Sequence, residues 1–196
     1  NDVVEKFVVV ESNLTHSGKP KRMYFSENRL RFSKFNDKII HLIYQGTPVE
    51  NDQRDTHIVW HNENSQRNHI LECLNIAQPS DGLLYISDCD EILRPEAVEH
   101  IRQSEQMLFA LRMPLFNFKF NYMRTSAGAY DCWAMAARRH VFNDILPNTL
   151  REMRHSFSGA PLNYVNDGCE LVEHAGWHFG YLGNTDYLKD KAQSFS

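Results

Sequence analysis

An apolar stretch that ends abruptly in acids constrains this chain more than any other feature of its sequence. Residues 83–91 read Leu-Leu-Tyr-Ile-Ser-Asp-Cys-Asp-Glu. A short continuous apolar run predicts a strand buried on both faces of a parallel sheet, and open α/β sheets bind ligands just beyond the carboxyl ends of such strands. Carboxylates are costly to bury there unless a cation offsets their charge. The run therefore predicts a divalent metal with a phosphorylated ligand at a strand end.

The acids themselves have a suggestive spacing. Asp88 and Asp90 are two residues apart, so both side chains point the same way if the strand end is extended. They can share one cation, or one can hold the cation while the other holds a ribose. A solvated turn after a strand is the competing interpretation, since acids are common there. The apolar strand before them and the Pro95-Glu96 pair behind them favour the functional interpretation.

Composition sets the broad class. A chain of 196 residues is long enough for one domain with a sizeable core, and 42% hydrophobic with 23% charged residues is ordinary for a soluble globular protein. The net charge of -4 argues against a general nucleic-acid binder. We find no signal peptide and no apolar run of about 18 residues, so no membrane segment is predicted. The four cysteines form no CxxC pair, and we predict Cys73 and Cys89 to be unbridged thiols.

Hydrophobic patterning predicts a mixed arrangement of strands and helices. Asn62 is predicted to cap a helix that runs to about Ala77, Pro95 to open another, and Pro114 to interrupt a strand. Strands alternate with helices early and look antiparallel late, which favours a single α/β domain with a mixed sheet. Further strands are predicted at 3–10, 38–44, 107–113, 115–120, 130–137 and 171–175, helices at 26–35 and 186–193, and a short helix or loop at 146–154.

Two further segments offer groups that could act with the acids. Arg67 precedes Asp88 by one helix and one turn, so it could contact a phosphate or a base beside that strand end, although a solvated helix start is the simpler interpretation. In the run 174–181, His178 could complete the metal site through an imidazole nitrogen, while Trp177 or Tyr181 could stack on a sugar face. A lone histidine is usually structural, so that alternative stays open.

Transfer of a group to a hydroxyl needs a general base within hydrogen-bond reach. The acids near the end of the chain are the candidates, and the sequence does not choose among them or exclude that each is a plain surface acid. They are Asp167, Glu170 and Glu173.

Several blocks of the sequence together resemble glycosyltransferase family 17, the family of the β-1,4-mannosyl-glycoprotein 4-β-N-acetylglucosaminyltransferase. The resemblance implies a GT-A fold with a mixed, mostly parallel central sheet, a UDP-sugar donor, expected to be UDP-GlcNAc, and Mn²⁺ or Mg²⁺ at the Asp-x-Asp motif. It also implies inversion at the anomeric carbon by direct displacement. The blocks are FVVVESN at 7–13, SGKPK at 17–21, NE at 62–63, RN at 67–68, ISDCDEI at 86–92, RP at 94–95 and AGWH at 175–178.

The resemblance also implies roles for individual residues. Asp88 and Asp90 take the Asp-x-Asp places, and His178 falls in the Gly-Trp-His motif. Among the residues of the matching blocks, those expected to contact the donor are Glu11, Lys21, Arg67, Asp88, Trp177 and His178, and the expected metal ligands are Asp88, Asp90 and His178.

The resemblance sets expectations for the whole chain as well. We expect residues 1–196 to be a single GT-A-like domain without the strand and helix that usually come first in that fold. The expected partners are a UDP-sugar and a glycan or other hydroxyl acceptor, with no nucleic acid, and the oligomeric state is not predicted. The expected location is the cytoplasm for a microbial or viral protein, or the Golgi lumen for an animal-type homologue.

Three other classes remain as alternatives. A phosphatase of the Asp-x-Asp type uses the first acid as a nucleophile, but its acids follow the first strand and precede Thr or Val, whereas here they lie mid-chain before Glu91 and Ile92. A sugar-nucleotide nucleotidyltransferase shares much of the predicted fold. A non-catalytic carbohydrate-binding domain could use the acids for a structural Ca²⁺, although the run lacks the glycine and the alternating acids of a calcium loop.

Overall fold

A computed structural model describes residues 3–48, 56–74, 82–126, 128–160, 165–166 and 168–194. The chain forms two compact units. The first unit comprises residues 1–78 with 189–196, and the second comprises residues 79–188.

The first unit contains a parallel pair of strands joined by a helical connection. Strands β1 (Phe7–Ser12) and β2 (Ile39–Tyr44) are rich in valine and isoleucine, which favour strands, and they pair in parallel along their full lengths. Between them lie helix α1 (Tyr24–Asn28) and a 3₁₀ helix (Arg29–Lys38). The helix predicted at 26–35 is therefore mostly 3₁₀, and the strand predicted at 3–10 begins and ends later.

The predicted helix start at Asn62 is wrong. Helix α2 (Thr56–Asn68) begins six residues earlier, and a short helix α3 (Leu71–Leu74) follows it. Asn62 lies within α2 and is buried, where its amide donates to the carbonyls of His16 and Thr47 and accepts from the Thr47 amide. The asparagine thus satisfies a neighbouring loop rather than a helix end. The rest of the predicted helix, to Ala77, lies outside the described residues.

The second unit is built on a mixed sheet of seven strands among its described residues. Its order is β3-β6-β5-β8-β7, with β9 pairing to β5 and to β4. The β5–β8 and β5–β9 pairs are parallel, whereas the β3–β6, β5–β6, β7–β8 and β4–β9 pairs are antiparallel. The strands are β3 (Leu83–Ile86), β4 (Glu91–Leu93), β5 (Leu108–Phe118), β6 (Tyr130–Arg138), β7 (Val165–Asn166), β8 (Cys169–Val172) and β9 (Gly176–Leu182).

The structure confirms the predicted mixed sheet, but the predicted predominance of parallel pairing is not seen among the described strands. The expectation of a strand buried on both faces of a parallel sheet is also wrong for β3. This strand pairs antiparallel with β6 and lies at the end of the sheet order. Only Ile86 is fully buried, while Leu83, Leu84 and Tyr85 are partly buried. A short apolar run does not by itself show whether the neighbouring strand is parallel or antiparallel.

Pro114 does not interrupt β5, contrary to the prediction. Residues Leu108 to Leu111 pair with β8, and the segment from Leu115 onward pairs with β9. Pro114 falls between these two ladders, where a missing amide hydrogen is tolerated. One long strand therefore links both parallel neighbours and forms the centre of the unit.

Helices pack on this sheet and complete its core. Helix α4 (Pro95–Gln103) has Pro95 at its start, as predicted, and buries Ala97, Val98 and Ile101. Ala97 and Ile101 join a core that includes Phe109, Leu111, Met113, Ala134, Ala136, Val172 and Ala175. The unit also contains α5 (Pro147–Met153) and 3₁₀ turns at Arg139–Asn143 and Arg154–Phe157. Helix α6 (Thr185–Ser194) begins in the second unit, and its residues from 189 onward belong to the first.

Two predictions about the whole chain can be compared with the described residues. None of the helices among them is long and apolar enough to cross a bilayer. The four cysteines all lie in the described part and form no disulfide, which confirms the prediction for Cys73 and Cys89.

Candidate functional site

The acidic run forms a tight turn at the end of β3. The amide of Glu91 donates to the carbonyl of Asp88 at 3.0 Å, which closes the turn before β4 begins. The residues between the two strands are therefore not extended, and the argument that alternation aligns Asp88 with Asp90 does not apply. The turn instead directs Asp88 to Arg151 and Asp90 to His178.

A buried arginine holds this turn. Arg151, on α5, is only 2% exposed. Its Nη2 lies 2.6 Å from Glu91 Oε1 and 3.0 Å from Asp88 Oδ2. Glu91 is also buried, and its Oε2 accepts the Asp88 amide at 2.9 Å. Arg151 and Glu91 thus fix both the backbone and the side chain of Asp88.

Burial and charge act against each other in this group. Burial raises the pKa of Glu91, the Arg151 guanidinium opposes that rise, and the nearby Asp88 carboxylate adds to it. Burial lowers the pKa of Arg151, but the charges of Glu91 and Asp88 outweigh it, so that this pKa lies above its usual value. Arg151 therefore stays a cation and offsets the carboxylates around it.

The side chains of Asp88 and Asp90 remain accessible on the outer side of the turn. They are 49% and 23% exposed, respectively. Strand β9 places His178 opposite Glu91, and His178 Nε2 lies 3.7 Å from Asp90 Oδ1. The structure thus brings two of the three predicted metal ligands, Asp90 and His178, within 4 Å of each other, whereas the Asp88 side chain is held by Arg151.

Trp133 of β6, rather than Trp177, packs against His178. The two ring centroids are 4.4 Å apart in an edge-on arrangement. Adjacent residues of a strand point to opposite faces, so Trp177 does not share the face of His178. The guanidinium of Arg94 lies 4.4 Å from the Trp177 ring centroid. Trp177 therefore does not pack beneath His178.

The donor atoms of the turn suit a hard divalent cation. Mg²⁺ and Mn²⁺ prefer carboxylate oxygens and commonly fill their remaining positions with substrate phosphates, and an imidazole nitrogen also suits Mn²⁺. Among the described residues, no group of three or more His, Cys, Asp or Glu side chains converges as closely as a complete metal site requires. The metal site at Asp88, Asp90 and His178 therefore stays a prediction.

The three candidate bases lie in different settings. Glu170 accepts a hydrogen bond from Ser104, the residue after α4, and shares one with His100 on that helix. Glu173 is held by Arg112 at 2.9 Å and by the Tyr130 hydroxyl at 3.0 Å. Asp167 lies outside the described residues.

Sheet register places Glu173 and Asp88 at the same edge. Ile86 pairs with Met135, Met135 with Ala110, and Ala110 with Leu171, so Ile86 and Leu171 share one row. Three strand spacings of about 4.8 Å separate Ile86 from Leu171 by roughly 14 Å. Asp88 and Glu173 each follow this row by two residues, after strands that run in the same direction. Glu170 falls one residue before this row, so of the two described acids Glu173 is the one at the edge.

The remaining predicted residues belong to the first unit. Glu11 is buried, accepts the amides of Phe25 and Ser26 at 2.7 and 3.1 Å, and lies 3.2 Å from His41. Burial alone would raise its pKa, but the hydrogen bonds from Phe25 and Ser26 and the His41 charge together lower it. Glu11 thus anchors the start of α1, and its contact with a donor stays a prediction.

Arg67 and Lys21 have more limited described contacts. Arg67 pairs with Glu63 at 3.1 Å on α2, and the Lys21 amide donates to the carbonyl of Asn13. Their predicted contacts with a nucleotide also stay predictions.

Comparison with known families decides the class of the protein. The sequence model of glycosyltransferase family 17 matches residues 1–157. The chain belongs to glycosyltransferase family 17. This confirms the resemblance found in the sequence. No curated protein matches the family 17 chain.

The extent of the match separates the site residues into two groups. The matched part of the family 17 chain contains the acidic turn and Arg151. Residues 158–196, with Glu173 and His178, lie beyond it. The roles of those two residues therefore depend on the geometry described above.

Two site residues were missed by sequence reasoning. Arg151 is distant from the acids in sequence, and nothing in residues 147–153 distinguishes it from a surface arginine. The one available signal was the acidic run itself, because three acids within four residues call for a nearby cation when any of them is buried. Trp133 was missed because an aromatic residue in a strand is usually core.

Proposed function

We propose that this glycosyltransferase is a metal-dependent, inverting enzyme of GT-A type that transfers GlcNAc from UDP-GlcNAc to a hydroxyl of a glycan acceptor. The observation that supports this most is the acidic turn after β3, in which Arg151 and Glu91 fix Asp88 while Asp90 faces His178. Fixed carboxylates at a strand end suit a cation and a diphosphate. The family assignment supplies the sugar-transfer chemistry.

Each residue of the turn then has a distinct task. Asp90 and His178 would hold Mn²⁺ or Mg²⁺, and Asp88 would hold the same ion or a ribose hydroxyl. When bound, the ion neutralises charge that develops on the diphosphate leaving group. Arg151 keeps Asp88 in place. A carboxylate with one fixed orientation loses less entropy when it binds a ligand, so this contact favours binding.

Glu173 is the general base of the proposal. The acceptor oxygen bonds to the anomeric carbon as the bond from that carbon to the UDP oxygen breaks. UDP leaves with the electron pair, and the hydroxyl proton passes to Glu173. Arg112 and Tyr130 orient the Glu173 carboxylate, and Glu173 and Asp88 follow strands that end at the same edge of the sheet.

Arg67 is proposed to contact the phosphate or uracil of the donor. Loss of a charge-assisted hydrogen bond costs roughly 1.5–3 kcal/mol, so Arg67→Ala should weaken UDP binding about tenfold or more. Calorimetric titration with UDP and Mn²⁺ measures this, with Arg102→Ala on α4 as a control that should bind as the wild type. Equal affinities for Arg67→Ala and wild type would remove Arg67 from the site.

Incubation of the chain with radiolabelled UDP-GlcNAc and Mn²⁺ tests the proposed reaction. Slow release of GlcNAc to water, or transfer to an added glycan, is expected and should stop when the metal is chelated. Exchange of pyrophosphate would indicate a nucleotidyltransferase instead. Sugar binding without any turnover would indicate a non-catalytic carbohydrate-binding domain.

A further inference from the structure

The helical connection of the first unit leaves its side chains uncovered. Every residue from 24 to 38 is described, and none of them is buried. Leu30 is 89% exposed, Tyr24 60% and Phe32 39%. Phe32 packs on the Phe25 ring, so Leu30 is the least covered of the three. A 3₁₀ helix of ten residues is also longer than usual.

Cations surround the most exposed apolar residue. Residues 29–34 read Arg-Leu-Arg-Phe-Ser-Lys and are all exposed. A 3₁₀ helix repeats every three residues, so Arg31 and Lys34 form one ridge, Arg29 and Phe32 another, and Leu30 lies between them. The apolar side chain thus projects between two rows that carry positive charge.

The charge of this region is opposite to that of the chain. Between positions 19 and 38 there are seven Lys and Arg residues but only two acids, whereas the whole chain has a net charge of -4. Arg22 is paired with Glu27, and Lys38 donates to the carbonyl of Val4. Lys34 lies over the Phe35 ring and stays exposed. Arg29, Arg31 and Lys34 are therefore available to an external anion.

We propose that residues 29–34 bind the surface of an anionic lipid bilayer. Leu30 inserts among the acyl chains at the interface, and Arg29, Arg31 and Lys34 contact lipid phosphates. An exposed leucine between cations is typical of interfacial membrane segments, and each cation near an anionic surface adds to the attraction. The segment does not span the bilayer, and the proposal does not depend on the reaction proposed above.

The charges favour a bilayer over the other possible occupants. A nucleic acid would attract the cations but would gain little from an exposed leucine. A second copy of the same segment would place like charges against each other.

Co-sedimentation with vesicles tests the proposal. The whole chain is mixed with vesicles of phosphatidylcholine that contain phosphatidylglycerol, and with vesicles of phosphatidylcholine alone. We expect binding to the anionic vesicles only, and weaker binding as salt is raised. Failure to bind the anionic vesicles at low salt would overturn the proposal.

Matched variants locate the binding surface. The double variant Arg31→Glu/Lys34→Glu should weaken vesicle binding at least about twentyfold, and Leu30→Ser about tenfold. Two controls at exposed positions elsewhere, Lys189→Glu and Met107→Ser, should bind as the wild type. Circular dichroism checks that each variant is folded.

Other outcomes would also overturn the proposal. One is equal vesicle binding by the variants and the wild type. A second is a chain that binds duplex RNA but not vesicles, with RNA binding lost in Arg31→Glu/Lys34→Glu. A third is a chain that forms a concentration-dependent dimer but does not bind vesicles, with the dimer lost in Leu30→Ser.

Discussion

Arg151 and Glu91 form a buried ion pair, with Nη2 of the arginine 2.6 Å from Oε1 of the glutamate and both residues at most 4% exposed. The same nitrogen reaches Asp88 at 3.0 Å. The pair therefore links helix α5 to the acidic turn, and it connects the stability of the second unit to the geometry of the candidate site.

We expect Arg151→Met to destabilise the protein by about 3–5 kcal/mol, because it leaves the buried Glu91 without a cation. Urea unfolding measures the change. The double variant Glu91→Gln/Arg151→Met should recover much of the loss, since neither unpaired charge remains. Arg22→Met removes an exposed pair with Glu27 and should have little effect. Equal losses for Arg151→Met and Arg22→Met would mean that the buried pair does not stabilise the fold.

The lowered pKa of Glu11 predicts how the stability of the first unit depends on pH. This lowered pKa means that folding favours the carboxylate over the acid. This contribution is complete above the usual value of 4.5 and is lost as pH falls below that value. We expect Glu11→Gln to cost about 1–3 kcal/mol near neutral pH. Unfolding of both proteins as a function of pH should show this difference shrinking below pH 4.5, and a difference that grows there would contradict the assignment.

Gly176 brings β9 close to β4. A methyl group at this position would lie 2.1 Å from the carbonyl oxygen of Ile92, which belongs to the backbone. We expect Gly176→Ala to lower the thermal unfolding midpoint, at a cost of about 1–3 kcal/mol. At Gly180 the added methyl would instead meet the end of the Leu115 side chain at 3.2 Å. Gly180→Ala should therefore cost less, and the reverse order would show that the β4–β9 contact is loose.

Local patterns in the sequence predicted much of the fold. The apolar runs of β2 and β6 and the proline that opens α4 are local signals, and the structure has these elements nearly where they were expected. The predictions for Pro114 and Asn62 were wrong because the roles of these residues depend on partners that are distant in the sequence. Pro114 lies between two ladders of one strand, and Asn62 binds a loop that the sequence does not place beside it.

The candidate site was predicted in part for a similar reason. The acids of the turn and His178 were predicted because they stand in recognisable motifs, and the structure places His178 beside Asp90. The turn between Asp88 and Glu91 was only the competing interpretation, because alternation was assumed to continue past the strand. Arg151 was missed because a contact between residues 60 positions apart in the chain leaves no local pattern.

Turnover of UDP-GlcNAc by an Asp90→Asn variant tests the central claim most directly. The substitution keeps the shape of the side chain but removes its charge, and Asp144→Asn at an exposed position serves as the control. The account predicts that Asp90→Asn loses Mn²⁺-dependent turnover by orders of magnitude, while its unfolding curve and the activity of Asp144→Asn stay near those of the wild type. An Asp90→Asn variant with wild-type turnover and unchanged dependence on Mn²⁺ would contradict it.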